Sequence, residues 1–183
     1  MKFFDLIEAQ KQMDFFDKLK KTGKAKQEFS SAKTSLNQVS AGHKKIKWVK
    51  GSTNLDWGGG KSDMGTKYLK DEHDVTNHVY DPFNRSAAHN AKALKSSPDT
   101  ITNHNVLNVI KEDAVIIDML KEWKKVTSAK TIYITIYQGD GKGVGKPTNK
   151  GYQRNQKLAE YLPLVKKVFP GASKKGSMIV INK

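Results

Sequence analysis

The chain has no cysteine in its 183 residues. Disulfide bridges, thiolate catalysis and cysteine-ligated zinc are therefore excluded. Nowhere does it approach the roughly 20 consecutive apolar residues that a membrane-spanning helix needs. The apolar residues at its start are interrupted by Asp5 and Glu8, unlike those of a signal peptide. The five histidines show no close pair at metal-ligand spacing, so we expect no metal site and a cytoplasmic protein without a membrane partner.

Arginine is nearly absent, because only Arg85 and Arg154 occur among the 33 basic residues. Residues 1–50 carry 12 lysines against 5 acids, residues 51–140 carry 11 basic residues against 12 acids, and residues 141–183 carry 10 against 1. Two basic ends around a neutral centre favour contact with a polyanion such as a nucleic acid or nucleotide. A genome rich in A and T would give the same lysine excess without any partner.

The length fits one domain with a single core. Residues 3–21 have the apolar spacing of an amphipathic helix, and residues 39–48 suggest a second short one. We therefore divide the chain into a basic N-terminal helical extension, residues 1–50, and a folded domain, residues 51–183.

From Thr53 onward, strand and helix patterns alternate, which predicts parallel strands and a sheet covered on both faces. The predicted strands are 53–57, 78–80, 100–102 and 131–137, with helices at 62–70, 85–97, 112–126 and 149–169 and a closing edge strand at 177–181.

A glycine motif, Asp56-x-Gly58-x-Gly60, follows the first strand and opens a helix. Small residues there let a ligand approach the backbone and the free N–H groups of a helix start. Asp81 ends the next strand 21 residues after Gly60, close to the roughly 20-residue offset of a ribose-binding acid. This spacing predicts an adenosine-type ligand at the carboxyl ends of the strands.

Asp63 occupies the position where a dinucleotide-binding motif would place its third glycine, which disfavours NAD and FAD. An acid at the start of the motif suits a ligand with a cationic amino-acid portion, such as S-adenosylmethionine. The segments 55–61, 79–86 and 105–110 together resemble class I S-adenosylmethionine-dependent methyltransferases, particularly the small methyltransferase-like proteins of bacteriophages. The resemblance covers about residues 50–183.

The resemblance implies a Rossmann-like, doubly wound α/β fold with a mostly parallel sheet. One strand-helix unit is expected to be shortened or missing, because a single helix separates the Asp81 strand from the Thr100 strand. By the same resemblance, the residues of the cofactor site are Asp56, Gly58, Gly59 and Gly60 around the methionine part, Asp81 with Pro82 at the ribose, Asn103 near the transferred methyl, and Asp99 or Thr100 at the adenine.

Candidates to orient or deprotonate a methyl acceptor are His104, Asn105, Asp140 and Tyr137, all near predicted strand ends. Loop capping explains His104 and Asn105 equally well, and we interpret Tyr137 as a core aromatic. The glycine-rich run 139–145 is either a mobile lid whose lysines meet phosphates or a plain flexible loop.

These features predict an S-adenosylmethionine-dependent methyltransferase whose acceptor is a nucleic acid or a nucleotide-like anion. The alternative is a catalytically inactive protein of the same fold, such as a phage accessory or anti-host factor that binds nucleic acid or a host protein. If the chain is phage-encoded, it would act in the host cytoplasm.

Overall fold

A six-stranded sheet forms the centre of the molecule in the computed structural model, which describes residues 25–183. The strands of the chain are β1 (Thr53–Trp57), β2 (Thr76–Tyr80), β3 (Thr100–His104), β4 (Thr131–Thr135), β5 (Lys146–Thr148), β6 (Gly151–Gln153), β7 (Ser173–Lys175) and β8 (Met178–Asn182). The sheet order is β2-β1-β3-β4-β8-β7, with β5 and β6 forming a separate hairpin. Strands β2, β1, β3 and β4 are parallel, whereas β8 runs antiparallel to both β4 and β7. The predicted doubly wound, mostly parallel sheet is confirmed.

Four helices connect these strands in the described part of the chain: α1 (Met64–His73), α2 (Ala87–Leu94), α3 (Asp113–Lys125) and α4 (Leu158–Lys166). Apolar side chains of α2, α3 and α4 pack with Leu55, Ile101 and Ile132 in one buried cluster. The last three helices therefore cover one face of the sheet, where the strands place their apolar residues. The period-2 alternation of the strands sends the intervening, more polar residues to the other face.

The opposite face carries a polar ladder. Asn54 donates to Asn77 at 2.7 Å and to the Thr102 hydroxyl at 2.9 Å, and Asn77 donates to Thr66 of α1 at 2.9 Å. Buried polar groups are stable only when they are hydrogen-bonded, and these side chains satisfy one another. The ladder leads along β1 to Asp56, close to the strand's carboxyl end.

Strand β2 lies at an edge of the sheet, and the connection through α2 crosses β1 to reach β3. A full doubly wound sheet continues with a further parallel strand outside this position. Between Asp81 and Thr100 the chain forms α2 and no strand, so within residues 25–183 this unit is missing, one of the two alternatives predicted. The switch point between β1 and β3, where ligands bind in such sheets, is retained.

Two predictions near the C-terminus were wrong. The strand expected at the edge, 177–181, is the interior strand β8, and the shorter β7 takes the edge. The helix expected over 149–169 begins only at Leu158, because the preceding residues form the β5–β6 hairpin.

The predicted N-terminal helix at 3–21 lies outside the described residues. Within residues 25–50 the structure contains only two short 3₁₀ turns, Ala32–Thr34 and His43–Lys45, so the predicted helix over 39–48 is reduced to one turn. His43 and Ile46 are both buried, and His43 lies against Asp56 and Thr102 of the sheet. No helix of the described region is long and apolar enough to cross a membrane.

Candidate functional site

A cleft of about 400 Å³ opens at the carboxyl ends of β1, β2 and β3. Its floor is the glycine loop 58–60, and its sides are the loop after β2, the loop after β3 and the first turns of α3. Residues 25–40, which we call the covering segment, lie across it and supply Ser31, Ser35 and Leu36 to its lining. The cleft therefore lies at the position predicted for a ligand from the strand order alone.

The glycine loop approaches its neighbours too closely for side chains. Gly58 and Gly60 have φ values of 82° and 74°, a region that residues with a Cβ rarely adopt. A Cβ on Gly58 would lie 2.5 Å from Cγ2 of Val106, and one on Gly59 would lie 2.6 Å from Oδ2 of Asp56. The loop consequently presents bare backbone to the cleft.

Asp81 joins the glycine loop to the tip of β2. Its Oδ2 accepts from the Gly60 backbone N–H at 2.9 Å. Its Oδ1 accepts from the backbone N–H groups of Phe83 and Asn84, both at 2.9 Å, and from the Asn84 side-chain amide at 3.2 Å. A carboxylate offers about four lone-pair sites, so the chain itself uses most of this buried group's accepting capacity, and Oδ2 retains room for a further donor.

Arg85 fixes the far side of the same loop. Its Nε donates to the Gly60 carbonyl at 2.7 Å, and its Nη2 donates to the Ser62 carbonyl at 3.1 Å and to Asp63 at 2.8 Å. The side chain is largely buried, at 11% exposure. The loop is thus held by an acid on its N–H side and by a guanidinium on its carbonyl side.

Asp56 is buried beneath the loop and contacts a histidine that the sequence analysis did not select. Its Oδ1 accepts from the Thr102 hydroxyl at 3.0 Å, and its Oδ2 lies 3.5 Å from Nε2 of His43. Burial raises the pKa of Asp56, while His43 and the Thr102 hydrogen bond oppose the increase. His43 comes from the segment 39–48, for which only a short helix was predicted, and a local helix pattern does not indicate contact with Asp56, 13 residues further along the chain.

His104 ends β3 and lines the cleft. Its Nδ1 lies 2.9 Å from the Thr135 hydroxyl, its ring makes an edge contact with His43 at 4.5 Å, and its Nε2 is buried without a hydrogen-bond partner in the described structure. Burial, and then the neighbouring His43, lower the pKa of His104 well below its usual value. The ring is therefore neutral at pH 7.

Two more of the predicted site residues line the cleft. Pro82 follows Asp81 on its rim. Asn105 is exposed and adopts φ 59°, and its backbone N–H donates to the Thr135 carbonyl at 2.9 Å. Asparagine tolerates this left-handed conformation better than most residues, which supports a turn-forming role at this position.

Four other predicted site residues, Asp99, Thr100, Asn103 and Asp140, are not among the residues that line the cleft. Asp99 precedes β3 and accepts from the Thr53 N–H at 2.9 Å, so it lies with Thr100 at the amino end of the sheet, far from the cleft. Asn103 faces the apolar side, where it is fully buried and donates to the Trp57 carbonyl at 2.7 Å. Neither residue lines the cleft.

Two further predicted residues, Asp140 and Tyr137, lie in or next to the glycine-rich run 139–145. Asp140 does not line the cleft, and its carboxylate accepts from the Lys142 N–H at 3.0 Å within its own turn. Tyr137, expected in the core, is 63% exposed. The loop is tied to Asn155, whose carbonyl accepts from Gly143 at 2.8 Å and whose amide donates to Val144 at 2.9 Å.

The charged side chains that line the cleft are all acidic within the described residues: Asp56, Asp81, Asp118 and Glu122. No lysine or arginine of residues 25–183 is among the lining residues, although the chain as a whole carries a net charge of +15. The cleft is therefore electrostatically suited to a cationic or neutral ligand. In the same part of the chain, no group of three or more metal-ligating side chains is placed to hold a metal ion.

Exposed lysines lie on the β5–β6 hairpin and not in the cleft lining. The β5–β6 hairpin carries exposed Lys146 and Lys150 and packs beside the covering segment, where Tyr152 stacks on Phe29 at 5.3 Å. The second arginine, Arg154, is bound to Asp113 and lies over the Tyr161 ring at 5.6 Å. Both arginines of the chain are thus used in internal contacts.

No protein-family model matches the chain, and no curated protein is significantly similar to it. Among solved structures, it is similar to phosphoethanolamine N-methyltransferase 2 of Haemonchus contortus in complex with phosphomonomethylethanolamine and S-adenosylhomocysteine, with a TM-score of 0.45 and 18% identity over 72% of this chain and 36% of that one. The selenomethionine form of that enzyme with S-adenosyl-L-methionine gives a TM-score of 0.36 and 18% identity over 69% and 31%. The chain therefore spans about a third of the length of these structures. At such scores, the fold assignment rests on the strand order of the sheet itself.

Proposed function

We propose that the chain binds S-adenosylmethionine in the cleft and transfers its methyl group to an acceptor. One observation carries the proposal. The bare glycine loop after β1 and the acid at the tip of β2 meet on a single cleft whose charged lining residues are all acidic.

The residues present fit this cofactor. Gly58, Gly59 and Gly60 present backbone without side chains to the cleft, since a Cβ on any of them would clash with a neighbouring residue, and Asp56 lies beneath them with a buried carboxylate that suits an ammonium group. Asp81 would contact the ribose through its Oδ2. When bound, the cofactor supplies an electrophilic methyl group on a positively charged sulfur.

Charge supports this cofactor over its product. S-adenosylmethionine carries a sulfonium cation that S-adenosylhomocysteine lacks, and a cleft with four carboxylates attracts that extra charge. We expect the cofactor to bind more tightly than the product, with a preference that weakens as salt screens the carboxylates.

For the acceptor we propose a nucleic acid or a nucleotide-like anion. The β5–β6 hairpin with its exposed lysines packs against the covering segment, part of which lines the cleft, and exposed Tyr137 offers a face on which a base can stack. Phosphates would stay with these outer lysines, since the acidic cleft repels them. Only an uncharged part of the acceptor would enter the cleft.

His104 is the proposed proton acceptor. In the tautomer that carries its proton on Nδ1, the neutral ring donates to the Thr135 hydroxyl and leaves the lone pair on Nε2, the nitrogen without another partner in the described structure. Asn105, next to it on the cleft, would orient the acceptor through its side-chain amide. Because methyl transfer depends largely on positioning, these two groups suffice without a paired acid.

A second candidate is a binding protein of this fold without turnover. It is favoured by the state of Asp81, whose carboxylate already accepts four hydrogen bonds from the chain, including one from the glycine loop. In that case the acid would serve the loop's structure, and ligand binding would be weak or absent.

Isothermal titration calorimetry with S-adenosylmethionine and S-adenosylhomocysteine, at low and high salt, tests the cofactor. A salt-sensitive preference for S-adenosylmethionine is expected, and absence of binding to either compound would refute the proposal. A tritiated-methyl transfer screen over RNA, DNA, nucleotides and protein then tests turnover. Binding without transfer to any of them would favour the second candidate. In an active protein, His104→Gln should lower transfer without weakening cofactor binding.

A further inference from the structure

Two segments of the chain contain lysines and no acids, and the fold joins them. Residues 38–50 and 161–183 together carry nine lysines and neither aspartate nor glutamate. The side chain of Lys45 donates to the Ser177 hydroxyl at 3.0 Å, although 132 residues separate the two in the sequence. The two acid-free segments therefore meet on one surface of the domain.

The register of the sheet places this surface at the same edge as the cleft. His104 lines the cleft and is level with Thr135 at the carboxyl end of β4. Ile134 of β4 pairs with Ile179 of β8, which runs antiparallel, so the turn that joins β7 to β8 also lies at the carboxyl end of β4. Three strand spacings of about 4.8 Å put β7 roughly 14 Å from β3 along this edge.

Five exposed lysines form what we call the basic edge: Lys44, Lys45, Lys47, Lys174 and Lys175. The first two belong to the 3₁₀ turn whose His43 lines the cleft, and the last two end β7. Within residues 25–183 none of the five forms an ion pair, whereas Lys70 and Lys111 elsewhere on the surface pair with acids. The described chain therefore does not neutralise the charge of the basic edge.

The separation of charges argues against base composition as the cause of this lysine cluster. A composition bias spreads lysines over the whole surface and does not remove acids from one part of it. Here acids line the cleft and lie on α1 and α3, while both segments of the basic edge have none. Like charges that are held together repel one another, and a polyanionic partner removes that repulsion.

The chemistry of the basic edge fits phosphodiesters better than a lipid surface. Lysine ammonium groups are point charges that suit phosphate oxygens, and Ser173 and Ser177, on either side of Lys174 and Lys175 in the chain, add hydroxyl donors. A membrane-binding surface uses bulky apolar side chains that enter the bilayer interface. Among the described residues of the two segments, only Val49 is a large apolar residue with high exposure.

We propose that the basic edge binds the phosphate backbone of a nucleic acid strand and leads that strand to the cleft. This inference deepens the function proposed above and rests on it for the role of the strand as methyl acceptor. At about 3.4 Å per nucleotide, roughly four nucleotides cover the distance from β7 to β3. One strand can therefore contact the basic edge and the cleft at the same time.

Fluorescence anisotropy with a labelled single strand of about 12 nucleotides, as DNA and as RNA, tests the binding surface over a series of salt concentrations without cofactor. The triple variant K45Q/K174Q/K175Q removes three charges from the basic edge. It should bind at least about tenfold more weakly than the wild type. Its slope of log K against log salt should be smaller by about 2, because each phosphate contact on a single strand contributes about 0.7.

The matched control is K67Q/K92Q/K124Q, which removes the same number of charges from exposed positions on α1, α2 and α3. It should keep the wild-type slope. Circular dichroism and thermal unfolding verify that both variants are folded. Vesicles of phosphatidylcholine and phosphatidylserine are tested in parallel. Binding to these vesicles but not to either strand would identify a membrane surface and overturn the proposal.

The outcomes separate this inference from the proposed function. If neither strand binds, or if the two triple variants change binding equally, the basic edge is not a nucleic-acid surface, while cofactor binding stands on its own calorimetry. If the strands bind through the basic edge but S-adenosylmethionine does not bind, methyl transfer fails and the nucleic-acid surface stands.

Discussion

Replacing Asp81 with asparagine should loosen the glycine loop and lower the stability of the whole domain. The amide oxygen of asparagine can still accept from the N–H groups of Phe83 and Asn84 in the place of Oδ1. The amide nitrogen would then face the Gly60 N–H, which now donates to Oδ2 at 2.9 Å. A buried donor would be left opposite another donor.

The magnitude follows from that one contact. A hydrogen bond to a charged acceptor contributes about 1.5–3 kcal/mol, and a buried donor left unsatisfied costs about 1–3 kcal/mol. Because the two contributions overlap, we expect the free energy of unfolding to fall by about 3 kcal/mol. With a urea m-value of roughly 2 kcal/mol/M for a chain of this size, the midpoint should fall by roughly 1.5 M.

Urea unfolding followed by circular dichroism measures this change, and amide hydrogen exchange locates it. Exchange at Gly60 should accelerate in the variant more than exchange in the centre of β4. Asp99→Asn is the matched control, since it makes the same chemical change at an exposed carboxylate that accepts from one backbone N–H, that of Thr53. If the two variants shift the midpoint equally, Asp81 does not hold the loop.

Two further predictions concern the same cleft. Because the pKa of His104 is lowered in the folded state, the unfolded chain binds more protons than the folded chain below about pH 6.5. The free energy of unfolding should therefore fall as the pH drops from about 7 to 5. His104→Gln should flatten this part of a pH-stability curve, and an unchanged slope would contradict the burial argument. Gly58→Ala should destabilise the chain by about 1–3 kcal/mol through its positive φ and the contact with Val106. Adding Val106→Ala should relieve the contact but not the backbone strain. If the double variant regains the full wild-type stability in thermal unfolding, strain plays no part.

The parallel half of the fold could be predicted from the sequence because its signals are local. In residues 53–57 and 131–135, side chains of the two faces alternate in polarity or form a short apolar run, and turn residues flank both segments. Both strands were found as expected. The glycine motif and Asp81 were brought together on one cleft because parallel strands place their carboxyl ends at the same edge.

The C-terminal part was harder for a physical reason. Met178 to Ile181 is apolar at every position, which is typical of a strand buried on both faces, but its place at the end of the chain suggested an edge. The β5–β6 hairpin was not predicted from the sequence because its strands are only three residues long and lie next to the helical pattern of α4. Such short strands depend on tertiary contacts, here those of Tyr152 with the covering segment.

The least predictable parts of the site were contacts between distant segments. His43 lies against Asp56 and His104 although 13 and 61 residues separate it from them. Asp118 and Glu122 were not selected from the sequence, because they belong to an ordinary amphipathic helix, where acids on a partly exposed face are common. Asp99 and Asn103 lie outside the cleft lining for a different reason. Successive residues of a strand point to opposite faces, which puts Asn103 on the apolar face, and Asp99 lies at the amino end of β3, opposite the edge that forms the cleft.

The internal use of both arginines has a consequence for any encounter with DNA or RNA. Arg85 and Arg154 are engaged with carbonyl groups or carboxylates of the chain, so the side chains that most often distinguish guanine in a groove are not free to do so. Attraction would come from lysine ammonium groups, which release counterions along any sequence and lose affinity steeply with ionic strength. Discrimination between one nucleotide sequence and another would then depend on what fits the cleft after a weak, sliding encounter has brought it there.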